Sequence, residues 1–201
     1  MNGVIFAQKP LSQNVVFQGT AIPVVSMTQI NSDLPGMIKA QVVEDVYDSI
    51  HGTTLLIPKG SVLNGVYNSD VKIGQERVMF AFTRLILPNG MSADLGGMPG
   101  ADEIGQAGAT DDVNNHFFKI FGSSLLTAGL SGLFSNNSVT VNSYGGSSTT
   151  ISSVAGQVLS QTAQTMMQRN QNIQPTITIR PGIRFNVMVN KDIYLDPYRA
   201  N

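Results

Sequence analysis

The residue types that could carry catalysis are few in this chain and form no recognisable catalytic pattern. There are two histidines, His51 and His116, and no cysteine, and neither histidine has a second ligand at metal-site spacing. Ser32 and Asp33 are neighbours, but no base is near in sequence, and their place before Pro-Gly is typical of a turn. We therefore expect no catalytic, cofactor-binding or metal site, and predict that the protein is not an enzyme.

The acidic residues and the overall charge also favour a structural interpretation. Glu44, Asp45 and Asp48 are predicted to form a solvated edge, and Asp192 and Asp196 another. No glycine-rich run is followed by Lys and Ser or Thr, so no phosphate-binding loop is expected. A net charge of −1 and a pI of about 6.0 give no reason to expect non-specific binding to nucleic acid.

Charge is excluded from residues 120–168, which contain no Asp, Glu, Lys or Arg. At the 12% charged residues of this chain, a window of this length would hold roughly six. Its first half, residues 117–134, is close in length to the roughly 20 residues that a membrane-spanning helix needs. The pattern predicts that this part of the chain enters an environment in which charge is unfavourable.

Two helices are predicted in this region, at about residues 113–134 and 151–169, joined by a polar, uncharged loop at 135–150. Residues 110–112 (Thr-Asp-Asp) predict the start of the first helix, with a capping hydroxyl and acids in the first turn. His116 falls in that first turn. The first helix is apolar on nearly every side, whereas the second carries glutamines on one face.

A ring of such hairpins would expose the first helix to lipid and line an aqueous lumen with the glutamines of the second. Periodicity alone slightly favours a buried hairpin in a soluble core, but the long polar loop and the exclusion of charge weigh against it. The residues predicted to span the membrane or line the pore are Phe117, Phe118, Phe121, Leu125, Leu126, Leu130, Phe134, Gln157, Gln161 and Gln164.

The rest of the chain is predicted to form short strands separated by Pro/Gly turns. Residues 38–47 alternate apolar and polar side chains, as in a half-buried strand, and residues 78–87 are nearly all apolar, as in a central strand. Three segments contain a strand, a Pro/Gly turn and a second strand, which predicts three β-hairpins. These segments are residues 54–67, 77–95 and 176–190.

The sequence therefore predicts a mainly β domain, a sandwich or a barrel, with the helical hairpin at about 113–169 inserted between strands. Five glycines in residues 96–108 predict a flexible loop. Residues 1–14 are predicted to be a flexible arm, and residues 15–201 one domain.

Six stretches resemble, in the same order, the C-terminal periplasmic domain of the TrbI/VirB-ten family, the bridging channel subunit of bacterial type IV secretion systems. The resemblance covers residues 15–198. The matching stretches are residues 19–23 (GTAIP), 30–36 (INSDLPG), 55–61 (LLIPKGS), 82–90 (FTRLILPNG), 116–118 (HFF) and 175–182 (PTITIRPG).

The resemblance implies a modified β-barrel that carries a two-helix antenna. Many copies would form a ring with an outer-membrane lipoprotein and a second outer-membrane-associated subunit, and the antennae would form the outer-membrane pore for DNA or protein. The chain would lie in the periplasm and outer membrane, with an inner-membrane anchor upstream, and would catalyse nothing. Residues implied for the extracellular loop are Asn137, Tyr144, Gly145 and Gly146.

Three alternatives remain open from the residues. A DNA-uptake (competence) machine would be built from the same parts. A periplasmic hydrolase with a hydrophobic lid would need a nucleophile, a base and an orienting group close together. A membrane-inserting adhesin or pore toxin would need no partner subunits.

Overall fold

The structure, a computed structural model, describes residues 7–116, 161, 165 and 174–200, and these residues form thirteen short strands. The alternation of apolar and polar residues is regular in β4, where Ile38, Ala40 and Val42 are buried, as the sequence predicts. The strands are β1 (Val15–Val16), β2 (Ala21–Ser26), β3 (Ile30–Asn31), β4 (Gly36–Val42), β5 (Val46–Tyr47), β6 (Leu55–Ile57), β7 (Val62–Tyr67), β8 (Phe80–Ile86), β9 (Ser92–Ala101), β10 (Asp112–Asn114), β11 (Thr176–Ile179), β12 (Arg184–Met188) and β13 (Ile193–Tyr194).

Six of these strands close into an antiparallel barrel in the order β12-β2-β4-β7-β8-β9. The barrel closes because β12 pairs on one side with β2 (Phe185 opposite Val24) and on the other with β9 (Val187 opposite Gly100). Three small sheets complete the described strands: β10-β11-β3, β1-β13 and β5-β6. The predicted β-barrel is therefore confirmed.

The barrel interior is filled by side chains, above all by three phenylalanines. Phe80 meets Phe185 edge to face with ring centroids 5.0 Å apart, and Phe82 stacks on Phe185 at 5.9 Å. All three rings are buried. Rings at these separations and angles make favourable aromatic contacts in addition to the apolar area that they remove from water. The barrel is therefore a packed core without an open lumen.

The glycines at 96, 97 and 100 lie in the barrel strand β9. The predicted flexible loop at 96–108 is therefore wrong for residues 96–101. Gly96 and Gly97 have φ values of 60° and 93°, at a register shift where β9 bulges against β8. A Cβ on Gly100 would overlap the ring of Phe80, so only glycine fits beneath that ring. Within residues 96–108, the turn begins after Ala101.

One of the three predicted hairpins is confirmed and two are wrong. β8 and β9 pair across a turn closed by Gly90, where the N–H of Leu87 donates to the carbonyl of Met91 at 2.8 Å. By contrast, β6 pairs with β5 rather than with β7, and β11 pairs with β3 rather than with β12. The turn residues reverse the chain as predicted, but they do not determine which strand it pairs with.

The chain divides into two compact units. The first comprises Met1–Val71, Glu76–Val113 and Ile177–Asn201 and contains the barrel, and the second comprises Lys72–Gln75 and Asn114–Thr176. Within the described ranges, we find no helix with the length and apolar character needed to span a membrane. Most of the predicted hairpin lies outside the described residues, including Phe117, Phe118, Phe121, Leu125, Leu126, Leu130, Phe134, Asn137, Tyr144, Gly145, Gly146, Gln157 and Gln164.

We expect that F82A lowers the free energy of unfolding by about 3–5 kcal/mol, because it leaves a cavity in the filled barrel. Thr83, the exposed neighbour on the same strand, provides a matched control. T83A should change stability far less. Chemical denaturation of both variants measures the difference, and similar effects of the two substitutions would contradict the packed-interior description.

Candidate functional site

The chain leaves the first unit after Val113 and re-enters it at Ile177, and the two points belong to neighbouring strands. β10 and β11 lie side by side in the sheet β10-β11-β3, and β11 is held on its other side by Ile30 and Asn31 of β3. We call residues 111–113 and 177–180 the insertion base. The topology thus returns the chain to the strand next to the one it left.

An ion pair links the two sides of the insertion base. The Asp111 carboxylate accepts from the Arg180 guanidinium at two atoms, Nε and Nη2, both at 2.8 Å, and from the Arg180 backbone N–H at 3.0 Å. The guanidinium and N–H of Arg180 hold the pKa of Asp111 down to about 2, although burial acts in the opposite direction. The carboxylate is ionised throughout the physiological range.

This ion pair also explains why the predicted helix start at residues 110–112 is wrong. The Asp111 side chain is engaged by Arg180 rather than by the N–H groups of a first helical turn, and Asp112–Asn114 is the strand β10. A capping sequence competes with any tertiary partner that offers more donors. No helix therefore begins at Val113.

His116, predicted for the first turn of a helix, has a left-handed φ of 50°. Its backbone N–H donates to the side-chain oxygen of Asn114 at 2.9 Å. Its Nε2 lies 3.0 Å from the Thr176 hydroxyl oxygen. Both contacts lie within the second unit. The histidine thus joins residues that are sixty positions apart in sequence.

Ser32 serves the backbone of the insertion base rather than chemistry. Its hydroxyl oxygen accepts from the N–H of Ile177 at 2.9 Å, and its own N–H donates to the Ile177 carbonyl at 3.0 Å. The side chain is buried. The Asn31 side chain accepts from the N–H of Asp33 at 2.9 Å, which confirms the predicted turn. The hydrogen bonds of Ser32 thus hold the backbone of Ile177, and they do not pair the Ser32 hydroxyl with a base.

Asp48 is buried, so its placement on a solvated edge is wrong. Its two carboxylate oxygens accept from the backbone N–H groups of residues 51–54 at 2.6 to 3.3 Å. The N–H groups of Thr54 and His51 lead in lowering its pKa to about 2. His51 lies in this turn. Asp45 is also engaged, since it accepts from the N–H of Lys59 at 2.7 Å.

A second acidic turn follows β9. Burial raises the pKa of Asp102. The N–H of Gln106 and the Arg77 guanidinium lower it by more than burial raises it, so the pKa lies below its ordinary value. Arg77 donates to the Asp102 carboxylate at 2.7 Å and to the carbonyls of residues 106–108. Asp102 also accepts from the N–H of Ile104 at 3.1 Å. We call residues 102–106 the Asp102 loop.

From the sequence, Asp48 was assigned to a solvated edge and Asp111 to a helix start, and Asp102 was given no role, although Asp48 and Asp102 carry a local signal. Asp48 and Asp102 stand four and three residues ahead of Gly52 and Gly105, which have φ values of 68° and 87°. An Asp before such a glycine is typical of a turn organised by its side chain. Asp111 has no such signal, because its partner lies after the insertion.

Among the described residues, no three His, Cys, Asp or Glu side chains are grouped so that they could hold a metal ion. Of the predicted pore residues, Gln161 is described: it is exposed and helical, and its carbonyl accepts from the Thr165 hydroxyl at 2.8 Å. The strand pairing and the Asp111–Arg180 ion pair hold the two points at which the chain leaves and re-enters the first unit.

The chain is similar to proteins named for conjugal transfer and for type IV secretion. A family described as "Bacterial conjugation TrbI-like protein" matches residues 15–195. Conjugal transfer protein TrbI of Rhizobium radiobacter is 45% identical over 188 residues, which cover 92% of this chain and 43% of that protein. Type IV secretion system protein virB10 of Brucella melitensis is 31% identical over 88% of this chain and 46% of that protein.

A solved structure of ComB10 of the Com type IV secretion system of Helicobacter pylori aligns over 93% of each chain, with 22% identity and a TM-score of 0.49. The chain spans a little less than half the length of the curated relatives it matches.

The first unit contains a closed six-stranded β-barrel, and its chain is interrupted between Val113 and Ile177. The family match extends over nearly the whole sequence, on both sides of the insertion and through it. The chain belongs to the TrbI family of bacterial conjugation proteins.

The low pKa of Asp48 predicts how stability depends on pH. The folded value of about 2 lies below the ordinary 3.8, so this contribution is fully present above about pH 4 and is lost as the pH falls through 2. D48N should unfold at a lower temperature at pH 7 and show a weaker loss of stability between pH 4 and 2. Exposed Glu44 is the control, since E44Q should retain the parent profile.

Removing the Arg180 side chain should release the pKa of Asp111 upward from about 2 towards 3.8, because most of its hydrogen bonds come from that guanidinium. A carboxyl NMR titration of R180A measures this shift. R184A, which removes an exposed arginine from β12, should leave Asp111 unchanged. An unchanged Asp111 in R180A would exclude the ion pair as its cause.

Proposed function

We propose that this chain is a structural channel subunit of a bacterial type IV secretion core complex that serves conjugation. The observation that carries the proposal is the family match over residues 15–195, together with 45% identity to a protein named for conjugal transfer. Conjugal transfer exports DNA from a donor cell, so the relatives favour export of DNA, with or without protein, over uptake. The chain acts by assembly and catalyses nothing.

The filled barrel supports a channel built from many copies. A barrel of six strands is too narrow for a lumen, and Phe80, Phe82 and Phe185 occupy its interior. A substrate path must therefore run outside the single barrel. We propose a homo-oligomeric ring in the periplasm, with an outer-membrane lipoprotein and an outer-membrane-associated subunit as the further partners of the core complex.

The proposed membrane-crossing element is the inserted segment, whose residues 120–168 lack charge. Phe117, Phe121 and Leu125 are among its lipid-facing side chains, and Gln157, Gln161 and Gln164 line the lumen. Lipid requires that backbone polar groups be paired internally, which helices satisfy. A single hairpin would leave its glutamine face in lipid, so insertion into the outer membrane requires the ring.

The insertion base suits this role because it fixes the segment at both ends. β10 and β11 are neighbours, and the Asp111–Arg180 pair links the residues that flank the segment. A segment that leaves and re-enters at adjacent strands can extend as a hairpin without disturbing the barrel. The loop at 135–150, with Asn137, Tyr144, Gly145 and Gly146, would then lie outside the cell.

Because the chain has no cysteine, single substitutions can report which residues are outside the cell. We expect Y144C in conjugating cells to react with a membrane-impermeant maleimide, since its loop is proposed to be extracellular. K59C, on an exposed periplasmic turn beside Asp45, should react only after the outer membrane is permeabilised.

Labelling of Y144C only after permeabilisation would exclude the outer-membrane proposal for the state that was labelled. DNA transfer by both variants shows that they assemble. Transfer that persists in cells without the protein would contradict its role as a channel subunit.

A further inference from the structure

The Asp102 loop presents an exposed apolar side chain on a rigid support. Ile104 is 79% exposed at its tip. The loop beneath it is fixed by the Asp102 carboxylate, by Arg77 and by a hydrogen bond from the N–H of Gly105 to the Asp102 carbonyl at 3.0 Å. A preordered apolar tip loses little conformational freedom on binding, which is a property of residues that anchor protein interfaces.

The barrel wall carries a shallow apolar cleft. Met37, Val66, Ala81 and Pro99 are paired in turn across β4, β7, β8 and β9, so their side chains form one outward-facing row. Met37 and Val66 are 75% and 52% exposed. A cleft of about 400 Å³ lies over part of this row, and we call it the barrel cleft; its lining includes Val66, Tyr67, Met79, Phe80, Ala81 and Pro99.

The barrel strands pair on both sides, so a partner in the cleft must be recognised through side chains rather than through strand addition. Met79, 47% exposed, is a flexible thioether that adapts to the shape of an apolar guest. A branched aliphatic side chain of the size of isoleucine fits these requirements.

Charge distinguishes between possible occupants. The next outward-facing row on the same strands contains Lys39, Asn64 and Arg84, paired in register, with Asp94 opposite Arg84. Two cations thus flank the cleft, and an exposed acid, Glu103, precedes Ile104. Glu103 complements Lys39 and Arg84, which favours a second copy of this chain as the occupant.

We propose that Ile104 of one copy inserts into the barrel cleft of the next copy, with Glu103 beside the neighbour's Lys39 and Arg84. The inference rests on the proposed function, for which it names a contact between subunits. In the ring of the proposed function this contact is head to tail, since a head-to-tail contact closes into a ring when its rotation permits. The interface would have an apolar centre and a charged margin.

Disulfide formation between two single-cysteine variants tests the contact. I104C and V66C, carrying different tags, are produced together in conjugating cells and oxidised. We expect a mixed disulfide between the two variants and none when V66C is produced alone. M91C, which replaces an exposed methionine on the β8–β9 turn, takes the place of V66C as a control and should give no mixed disulfide. M79C provides a second cysteine in the cleft should V66C fold poorly.

A chain that carries both I104C and V66C should give a ladder of trimers and larger species, as a head-to-tail ring requires. A closed dimer alone, or a disulfide of I104C with itself, would overturn the head-to-tail contact. Absence of the mixed disulfide with both cleft cysteines, in cells where the variants support DNA transfer, would overturn the docking surface and leave the proposed function standing. A different result contradicts the proposed function, namely DNA transfer that persists in cells without the parent chain.

Discussion

Closure of the barrel by β12 is the constraint on which the rest of this structure depends. Arg184–Met188 pairs with β2 near the start of the chain and with β9 before the insertion. The strand that closes the barrel thus follows the insertion in sequence, so the chain must return before the core is complete. Pairings between such distant residues form slowly in folding, because a long loop has to close first.

The packed interior imposes a second condition, which links the fold to its proposed role. Phe80, Phe82 and Phe185 fill a barrel that is narrow because it has only six strands, and Gly100 leaves room for the ring of Phe80. The interior of such a barrel is occupied by side chains and offers no path for a substrate. The proposed roles therefore depend on surfaces outside the barrel interior: the insertion base, the Asp102 loop and the barrel wall.

Three aspartates give this β-domain its fixed turns and its anchored insertion. Each carboxylate accepts several N–H donors at once: Asp48 from a turn, Asp102 from a loop and Arg77, and Asp111 from Arg180. A charged acceptor makes stronger hydrogen bonds than a neutral one and has two oxygens to share. Only 12% of the residues in this chain are charged, and these three carboxylates stabilise local structure through their hydrogen bonds.

The sequence by itself determined the strand periodicity, the turns, the central strand at β8 and the resemblance to the TrbI/VirB-ten family, because these depend on neighbouring residues. Only the tertiary structure decided that β11 pairs with β3, that β9 continues through Gly96 and Gly97, and that Asp111 binds Arg180 instead of capping a helix. Strand partners and ion pairs join residues far apart in the chain, and local pattern cannot rank such partners because their energies depend on packing.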